Sequence, residues 1–193
     1  MEDMQRLYDV YFVSSNKNKY QEIKSILKNF GIKVGFLNMN LEEIQSDSLE
    51  KIAYHKVKIA FAKCKKPVII EDDGFFIDYL NGFPGPFSSY VFKTIGNDGI
   101  LRLIVKSNRK ARFQSLIAYC DKNTSVKIFK AKVFGRVSIR KHGKGWGYDP
   151  IFIPSGTNKT YAQLSSKNEL SHRYKALKKF ANWFVDRQKS TDR

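Results

Sequence analysis

The sequence PVIIEDDG, residues 67–74, joins a continuous apolar run to three consecutive carboxylates and a glycine. Such a run is typical of a strand buried on both faces of a sheet, and open α/β sheets bind ligands just beyond the carboxyl ends of these strands. Two like charges about 4 Å apart repel by roughly 4 kcal/mol at an effective dielectric of about 20. The repulsion is relieved if one acid is protonated, if the side chains diverge, or if a cation lies among them. The first hypothesis is a site for a hard divalent cation, and the alternative is that the acids alternate outward into a polar turn.

Length and composition predict one domain spanning residues 1–193 with a real hydrophobic core, because 42% of the residues are hydrophobic and 14% are aromatic. No apolar stretch approaches the roughly 20 residues that span a bilayer, and the charged start MEDMQR does not resemble a signal peptide. Cys64 and Cys120 lack CxxC spacing, which indicates a reducing compartment. We expect a cytoplasmic protein with no membrane partner.

The net charge of +17 predicts attraction to polyanions such as nucleic acid, an anionic membrane or phosphorylated small molecules. The densest basic runs, KCKK at 63–66 and RKAR at 109–112, are short, and the other basic residues are spread along the chain. A basic surface on a globular protein therefore accounts for the charge as well as a nucleic-acid-binding module does. The module predicts binding with a steep salt dependence and no metal-dependent turnover.

The hydrophobic periodicity predicts an α/β fold with a mixed sheet, because strand–helix–strand spacing gives way to a hairpin. Asn16 suits the N-cap of the first helix, and Asp47 with Glu50 resembles a capping box for the second. Two prolines and two glycines in NGFPGP, residues 81–86, predict a rigid loop. The predicted strands cover residues 7–14, 32–37, 67–70, 113–119, 126–139 and 151–153, and the predicted helices cover 16–30, 47–64, 88–94, 97–106 (capped by Asn97 or Asp98) and 171–188.

The segment SSNKNK, residues 14–19, lies where the first strand meets the first helix. Free backbone N–H groups and the positive end of the helix dipole favour an anion there. No Walker GxxxxGK[ST] and no GxGxxG sequence occurs, so neither common nucleotide fingerprint applies. A capped helix with solvated lysines is the alternative. The candidate anion ligands are Ser14, Ser15, Asn16, Lys17, Asn18 and Lys19.

The segment GWGYDP, residues 145–150, places aromatic residues between glycines. The glycines give a planar ligand close access to Trp146, and stacking a base on an aromatic ring contributes on the order of 1–3 kcal/mol. The ionised Asp149 carboxylate accepts hydrogen bonds only, so it can read N–H groups on a base edge. A tight turn around a buried tryptophan is the alternative. The candidate base-binding residues are Trp146, Gly147, Tyr148 and Asp149.

The last predicted helix begins with SHR, residues 171–173, and Lys167 shortly precedes it. A helix N-terminus with Lys167, His172 and Arg173 favours an anion or a polar base edge. Lys56, on the helix before the acidic stretch, taken alone indicates a surface lysine. No HExxH, zinc-ligand or GxSxG spacing is present. Together the segments supply acids for a metal, cations for phosphates and an aromatic clamp for a base, a set that fits a nucleoside triphosphate with magnesium.

Five motifs in this order resemble those of the inosine triphosphate pyrophosphatase family, also called XTP/dITP diphosphatases, and its archaeal members most closely. The resemblance covers about residues 10–184, and its motifs are SSNKNK (14–19), EDDG (71–74), LNGFPG (80–85), WGYDP (146–150) and SHR (171–173). It implies an elongated mixed sheet with flanking helices and two lobes around a central nucleotide cleft, usually in a homodimer. It also implies Mg²⁺-dependent hydrolysis of ITP, dITP and XTP to the nucleoside monophosphate and pyrophosphate. A Maf-like pyrophosphatase with another base preference is the enzymatic alternative.

The resemblance also implies a role for each candidate residue. Asp72 holds the metal and orients or deprotonates the attacking water, and Glu43 is the second metal ligand. Asn16, Lys19 and Lys56 bind the triphosphate. The residues that line the base and sugar end are Trp146, Asp149, Lys167, His172 and Arg173.

Four positions depart from the family pattern. Ser15 stands where the family has Gly, Gln163 where it has Glu, and Trp146 where it has Phe. Asp73 stands where the family has Ser or Thr. Its extra negative charge beside the metal site either tightens the cation or repels phosphate.

Overall fold

In the residues that the computed structural model describes, 7–104, 108–165 and 167–191, seven strands form one mixed sheet. The order across the sheet is β2-β1-β3-β5-β6-β7, and β4 pairs with β3. The strands are β1 (Val10–Ser14), β2 (Val34–Asn38), β3 (Val68–Ile77), β4 (Pro84–Gly85), β5 (Lys110–Cys120), β6 (Lys127–Val137) and β7 (Phe152–Pro154). The helices are α1 (Lys17–Lys28), α2 (Leu49–Cys64), α3 (Ser88–Thr94), α4 (Gly96–Leu103), α5 (Lys167–Leu170) and α6 (His172–Thr191).

The sheet is parallel at one end and antiparallel at the other. Strand β1 pairs parallel with β2 and β3, whereas β3, β5, β6 and β7 pair antiparallel in succession. This arrangement confirms the mixed α/β sheet with flanking helices that the sequence predicts. None of the described helices combines the length and the apolar character needed to cross a membrane.

Three apolar clusters pack on the sheet. Helices α1 and α6 cover one face, where Leu177 of α6 belongs to the same cluster as Ile69 of β3, and α2 covers the opposite face, where Val57 packs with Ile70. The third cluster surrounds Phe75 and includes apolar residues of α3 and α4. Because residues an even number of positions apart on a strand share a face, Ile69 and Phe75 lie on one face of β3. The first and third clusters therefore form two lobes on that face, separated by acidic positions of β3.

Strand β3 continues through the acidic stretch, so the prediction that the strand ends before the acids is wrong. Strand β5 pairs with β3 along the whole of Val68–Ile77, and this ladder provides partners for the backbone of the acidic residues. Since successive side chains of a strand point to opposite faces, Glu71 and Asp73 lie on one face and Asp72 lies on the other. The acids diverge across the sheet rather than into a turn.

The helix caps agree with the sequence in one place and differ in two. Asn16 caps α1 as predicted, because its side chain accepts hydrogen bonds from two backbone N–H groups of the first turn. Ser48, rather than Asp47, caps α2 by accepting a hydrogen bond from the backbone N–H of Lys51, so the capping box predicted for Asp47 and Glu50 is wrong. Helix α4 has no side-chain cap, which leaves Asn97 and Asp98 for other contacts. Residues 105 and 106 of that predicted helix lie outside the described residues.

The glycine that closes the acidic stretch allows β4 to approach β3. Strand β4 pairs antiparallel with Phe75 and Phe76, so part of the predicted rigid loop is a short strand. A Cβ atom at Gly74 would lie 2.7 Å from the carbonyl oxygen of Gly85. Only a residue without a side chain fits here, and the motif needs its glycine for packing.

Gly74→Ala should lower the free energy of unfolding by about 1–3 kcal/mol, the usual cost of overpacking, because the methyl group would push β4 away from β3. Urea denaturation followed by circular dichroism measures the change. Lys132→Ala, at an exposed position of β6, is the control and should alter stability by less than about 0.5 kcal/mol. Equal stabilities of the two variants would contradict the close approach.

Candidate active site

A cleft of about 360 Å³ opens beside β3. Its walls come from the β1–α1 junction, the segment after β2, α2, α3, the loop after β6 and the start of α6. It brings together fourteen of the residues predicted from the sequence: Ser14, Ser15, Asn16, Lys19, Glu43, Lys56, Asp72, Asp73, Trp146, Gly147, Tyr148, Asp149, His172 and Arg173.

On the α2 face of β3, one ammonium group joins the two predicted metal ligands. Lys56 Nζ lies 2.6 Å from Asp72 Oδ1 and 2.6 Å from Glu43 Oε1. The side chain of Glu43 is 60% exposed and that of Asp72 is 12% exposed. Lys56 is therefore an ion-pair partner at the centre of the cleft, and its interpretation as a surface lysine is wrong.

Burial raises the pKa of the Asp72 carboxyl above its ordinary value, and the charge of Lys56 offsets only part of that shift. Burial also opposes the charge of Lys56, but Asp72 and Glu43 outweigh it and raise the pKa of this ammonium. Asp72 Oδ2 is buried and has no hydrogen-bond partner among the described residues. A carboxylate with one unpaired, buried oxygen and a raised pKa is suited to hold a cation or to take a proton.

On the opposite face of β3, the guanidinium of Arg173 contacts three carboxylates. Its Nε lies 2.8 Å from Glu71 Oε1, its Nη1 lies 2.6 Å from Glu22 Oε2, and its Nη2 lies 2.7 Å from Asp73 Oδ2. Lys19 Nζ joins the same group, 3.2 Å from Glu71 and 3.1 Å from Asp73. Glu71 and Arg173 are almost completely buried, so each charge depends on the others for compensation.

The pKa values of this group reflect that mutual compensation. Burial opposes ionisation of Asp73, but Lys19 and Arg173 outweigh it and hold the pKa of this carboxyl well below its usual range. Burial likewise opposes the charges of Lys19 and Arg173, and Asp73 and Glu71 raise the pKa of both groups despite it. Asp73, one of the four departures from the family pattern, is thus shared by both cations, as Glu71 is.

The other end of the cleft is aromatic. Trp146 is 47% exposed, and the guanidinium carbon of Arg173 lies 5.6 Å from the centroid of its ring, within the range of a cation–π contact. The buried ring of His172 stacks on Phe113 with centroids 4.5 Å apart and an interplanar angle of 5°. Tyr148 is buried, and its hydroxyl donates a hydrogen bond to the carbonyl of Ser88 at 2.9 Å. Trp146 thus offers a ring face at the cleft, while the contacts of Tyr148 are structural.

The β1–α1 junction keeps most of its polar groups at the cleft. The Asn16 side chain accepts from the backbone N–H groups of Asn18 and Lys19 at 3.0 and 3.1 Å, so its oxygen is occupied by helix capping. Lys17 and Asn18 are exposed and border a shallow surface outside the cleft. These two predicted ligands lie outside the cleft, beside Ser15 and Asn16.

Sequence patterns did not identify several cleft residues. Helix α3 contributes residues that the sequence placed only on a short helix, and Phe113 belongs to a strand that the sequence indicates only as core. Glu22, which pairs with Arg173, occupies a polar position of α1 with no motif around it. The residues missed are Glu22, Ser88, Ser89, Phe92, Lys93 and Phe113. The side chain of Lys167, a predicted ligand, lies outside the described residues.

The donor set fits a small divalent cation. Within the described residues, no group of three or more His, Cys, Asp or Glu side chains has the arrangement of a protein-made metal cage. Glu43 and Asp72 instead converge on one cation, the Lys56 ammonium. Mg²⁺ commonly takes one or two carboxylates and completes its octahedron with water and phosphate oxygens. The unpaired Asp72 Oδ2 and the exposed Glu43 carboxylate provide that partial set.

A model of the Ham1 family matches residues 10–183 of the sequence. This chain belongs to the Ham1 family. The dITP/XTP pyrophosphatase of Methanopyrus kandleri is 46% identical over 179 residues, which cover 91% of this chain and 95% of that protein. The dITP/XTP pyrophosphatase of Thermococcus kodakarensis is 41% identical over 182 residues, which cover 92% of this chain and 98% of that protein. These matches confirm the resemblance that the five motifs predict.

Solved Ham1 structures have the same architecture. A HAM1 protein from Coxiella burnetii aligns with a TM-score of 0.78 at 25% identity, covering 92% of this chain and 98% of that one. The Ham1 protein of Staphylococcus aureus aligns with a TM-score of 0.71 at 26% identity, covering 92% of this chain and 99% of that one. The Ham1 fold is therefore that of a mixed sheet with flanking helices around a cleft.

Arg173→Met should lower the free energy of unfolding by about 3–5 kcal/mol, the usual cost of removing one partner of a buried ion pair. The loss arises because Glu71 would stay buried without its strongest partner. Adding Glu71→Gln to Arg173→Met should recover part of the loss in a double-mutant cycle measured by urea denaturation.

Arg112→Met is the matched control, since its partner Asp78 is half-exposed at 3.5 Å, and it should cost about 1 kcal/mol or less. A loss for Arg173→Met no larger than that of the control would contradict the central role of the buried guanidinium.

Proposed function

We propose that this chain hydrolyses non-standard purine nucleoside triphosphates, namely ITP, dITP and XTP, to the nucleoside monophosphate and pyrophosphate. The observation that carries the proposal is the convergence of Glu43 and Asp72 on one cation inside a cleft that also holds Lys19, Lys56 and an exposed tryptophan. The names of the 38–46% identical relatives, all dITP/XTP pyrophosphatases, support it. They favour it over a nucleic-acid-binding module and over a Maf-like enzyme.

Mg²⁺ would be held by Glu43 and Asp72, and when bound it would neutralise charge on the phosphates and lower the pKa of bound water. Asp72 orients the attacking water and takes its proton, a role for which its second carboxylate oxygen, which has no hydrogen-bond partner among the described residues, is available. Triphosphate chemistry depends on positioning and charge neutralisation more than on a covalent nucleophile. Lys19 and Lys56 stabilise the leaving pyrophosphate, and the Ser14–Asn16 end of the cleft binds its oxygens.

The base stacks on Trp146, and His172 and Asp149 meet its polar edge. The 6-oxo group gives hypoxanthine and xanthine a different donor and acceptor pattern from adenine, and the absence of a 2-amino group distinguishes both bases from guanine. A mismatched amino group would leave buried polar groups unpaired. Arg173 supports the Trp146 ring by its cation–π contact and does not bond to the base, because its nitrogens are engaged with Glu22, Glu71 and Asp73. Lys167 belongs to the base and sugar end in this proposal.

The domain organisation, the oligomeric state and the location are proposed on separate grounds. One sheet joins the described residues, which supports a single domain over residues 1–193. A homodimer and a cytoplasmic location stay predictions from the family resemblance and from the sequence. We expect no specific binding of nucleic acid.

The experiment that tests the function is pyrophosphate release from ITP, dITP, XTP, ATP, GTP and pyrimidine triphosphates, with magnesium and with a chelator. Release of pyrophosphate from ITP, dITP and XTP in magnesium, and its absence in chelator, supports the proposal. Release from none of them would refute the enzyme. Equal rates on ATP and ITP would refute the base selectivity and leave the pyrophosphatase activity standing.

Asp72→Asn should lower kcat by about 10²–10⁴, the contribution of a positioned base, while the Kd for ITP changes little. Steady-state kinetics and calorimetric titration with ITP in chelator separate the two quantities. Glu43→Gln should chiefly raise the magnesium concentration needed for half-maximal rate. Glu42→Gln, the exposed neighbour, is its control and should behave as the wild type. An Asp72→Asn enzyme that keeps its kcat would overturn the assignment of base and metal ligand.

Trp146→Ala should raise the KM for ITP by roughly 5- to 150-fold, which corresponds to the 1–3 kcal/mol of base stacking, with kcat within a few-fold of wild type. Initial rates at saturating magnesium give both constants. Trp183→Phe, in a distant aromatic cluster with Tyr119 and Phe129, is the control and should leave KM unchanged. An unchanged KM for Trp146→Ala would exclude stacking on this ring.

A further inference from the structure

The loop that carries Trp146 is tied to α3 and α4 by three side-chain contacts. The Tyr148 hydroxyl donates to the carbonyl of Ser88 at 2.9 Å. Asn97 Nδ2 donates to the carbonyl oxygen of Gly147 at 3.0 Å. The exposed pair of Lys141 and Asp98 adds a contact of 2.8 Å. Of these three, the Asn97 bond reaches the residue directly after Trp146.

The Asn97 bond is directional and only partly exposed to solvent. A carbonyl oxygen accepts only, so the carboxamide must present its nitrogen to Gly147. Gly147 has a φ of +61°, a left-handed conformation that glycine adopts without strain, and its carbonyl is the one that Asn97 contacts. The bond therefore holds the peptide plane between Gly147 and Tyr148, one residue beyond Trp146.

The oxygen of the Asn97 carboxamide lies in an unfavourable environment. Asn97 Oδ1 is buried and has no hydrogen-bond partner among the described residues. An unpaired buried oxygen is unfavourable, and Asn97 does not cap α4. The favourable contact that explains an asparagine here is the bond to Gly147.

We propose that Asn97 is a positioning residue that sets the height and tilt of the Trp146 ring for the purine base. The inference rests on the proposed function, because it takes Trp146 as the stacking surface. A tethered ring is already ordered before the ligand arrives, so binding loses less conformational freedom. Loss of the tether weakens base binding and leaves the chemistry at Asp72 unchanged.

Asn97→Asp is the sharpest variant, because it keeps the shape and replaces the donor by an acceptor that faces the Gly147 carbonyl. A carboxylate in the first turn of α4 is favoured by the helix dipole, so this change does not simply weaken the helix. Asp98→Asn is the control at the next position: it removes the exposed ion pair with Lys141, which contributes little because both side chains are in solvent. The double variant Asn97→Asp/Asp98→Asn keeps the net charge and one carboxylate in the same turn. Asn97→Leu removes the donor without adding charge.

The measurements are KM and kcat for ITP, the melting temperature, and the Kd for ITP in chelator from quenching of Trp146 fluorescence in a Trp183→Phe background. Loss of one neutral hydrogen bond should raise KM and Kd about threefold to tenfold, with more in Asn97→Asp than in Asn97→Leu. We expect kcat within twofold of wild type, and the double variant should melt within about 3 °C of it. Asp98→Asn should leave KM and Kd unchanged.

Three outcomes would overturn the inference. Unchanged KM and Kd in both the double variant and Asn97→Leu would mean that the bond does not position the ring. A rise in KM that is matched by an equal rise in Asp98→Asn would mean that any change in this turn has the same effect. Failure of the wild type to bind ITP would remove the proposed function together with the inference, whereas wild-type binding with unaltered variants would remove the inference alone.

Discussion

The buried guanidinium of Arg173 is the interaction on which the site depends. Its three nitrogens contact carboxylates of α1 and β3, so one side chain at the start of α6 joins three elements of the fold. It lies between two apolar clusters on the same face of β3, where a polar group without partners would be strongly unfavourable. The same ion pairs orient Lys19 towards the cleft and place the guanidinium against Trp146. Phosphate-binding and base-binding ends are thereby linked through one residue.

Strand β3 contains the part of the fold that local patterns describe least well. Its sequence returns to apolar residues at Phe75, directly after the acids, which is a signal for a continuing strand. The acids nevertheless indicate an end to the strand, because three charges inside a strand are unfavourable unless each has a partner. The partners are distant in sequence: Lys19 lies 54 positions from Asp73, and Arg173 lies 100 positions from it. Pairing over such separations leaves no trace in local periodicity.

Residue types at motif positions were predictable where the chemistry is local. The Asn16 cap, the hairpin of β5 and β6, and the mixed sheet follow from capping preference and periodicity. Lys56 had a usable signal, since it stands next to Val57 on the buried side of α2, where a lysine needs a carboxylate. The sequence signal at Asn97 was misleading, because an asparagine near the start of a helix indicates a cap. The hydrogen-bond partner of Asn97 is instead Gly147, 50 positions away.

The lining of the cleft carries more carboxylates than cations, although the chain as a whole has a net charge of +17. The charged lining residues are Glu43, Glu71, Asp72, Asp73 and Asp149 on one side and Lys19, Lys56, Lys93 and Arg173 on the other. The basic exterior raises the local concentration of any polyanion, because long-range attraction depends on the summed field. Inside the cleft the two signs nearly balance, so the long-range attraction of the exterior does not continue into the site as a net field. The basic exterior thus raises the rate at which any polyanion meets the protein, and the choice among polyanions depends on the individual contacts inside the cleft.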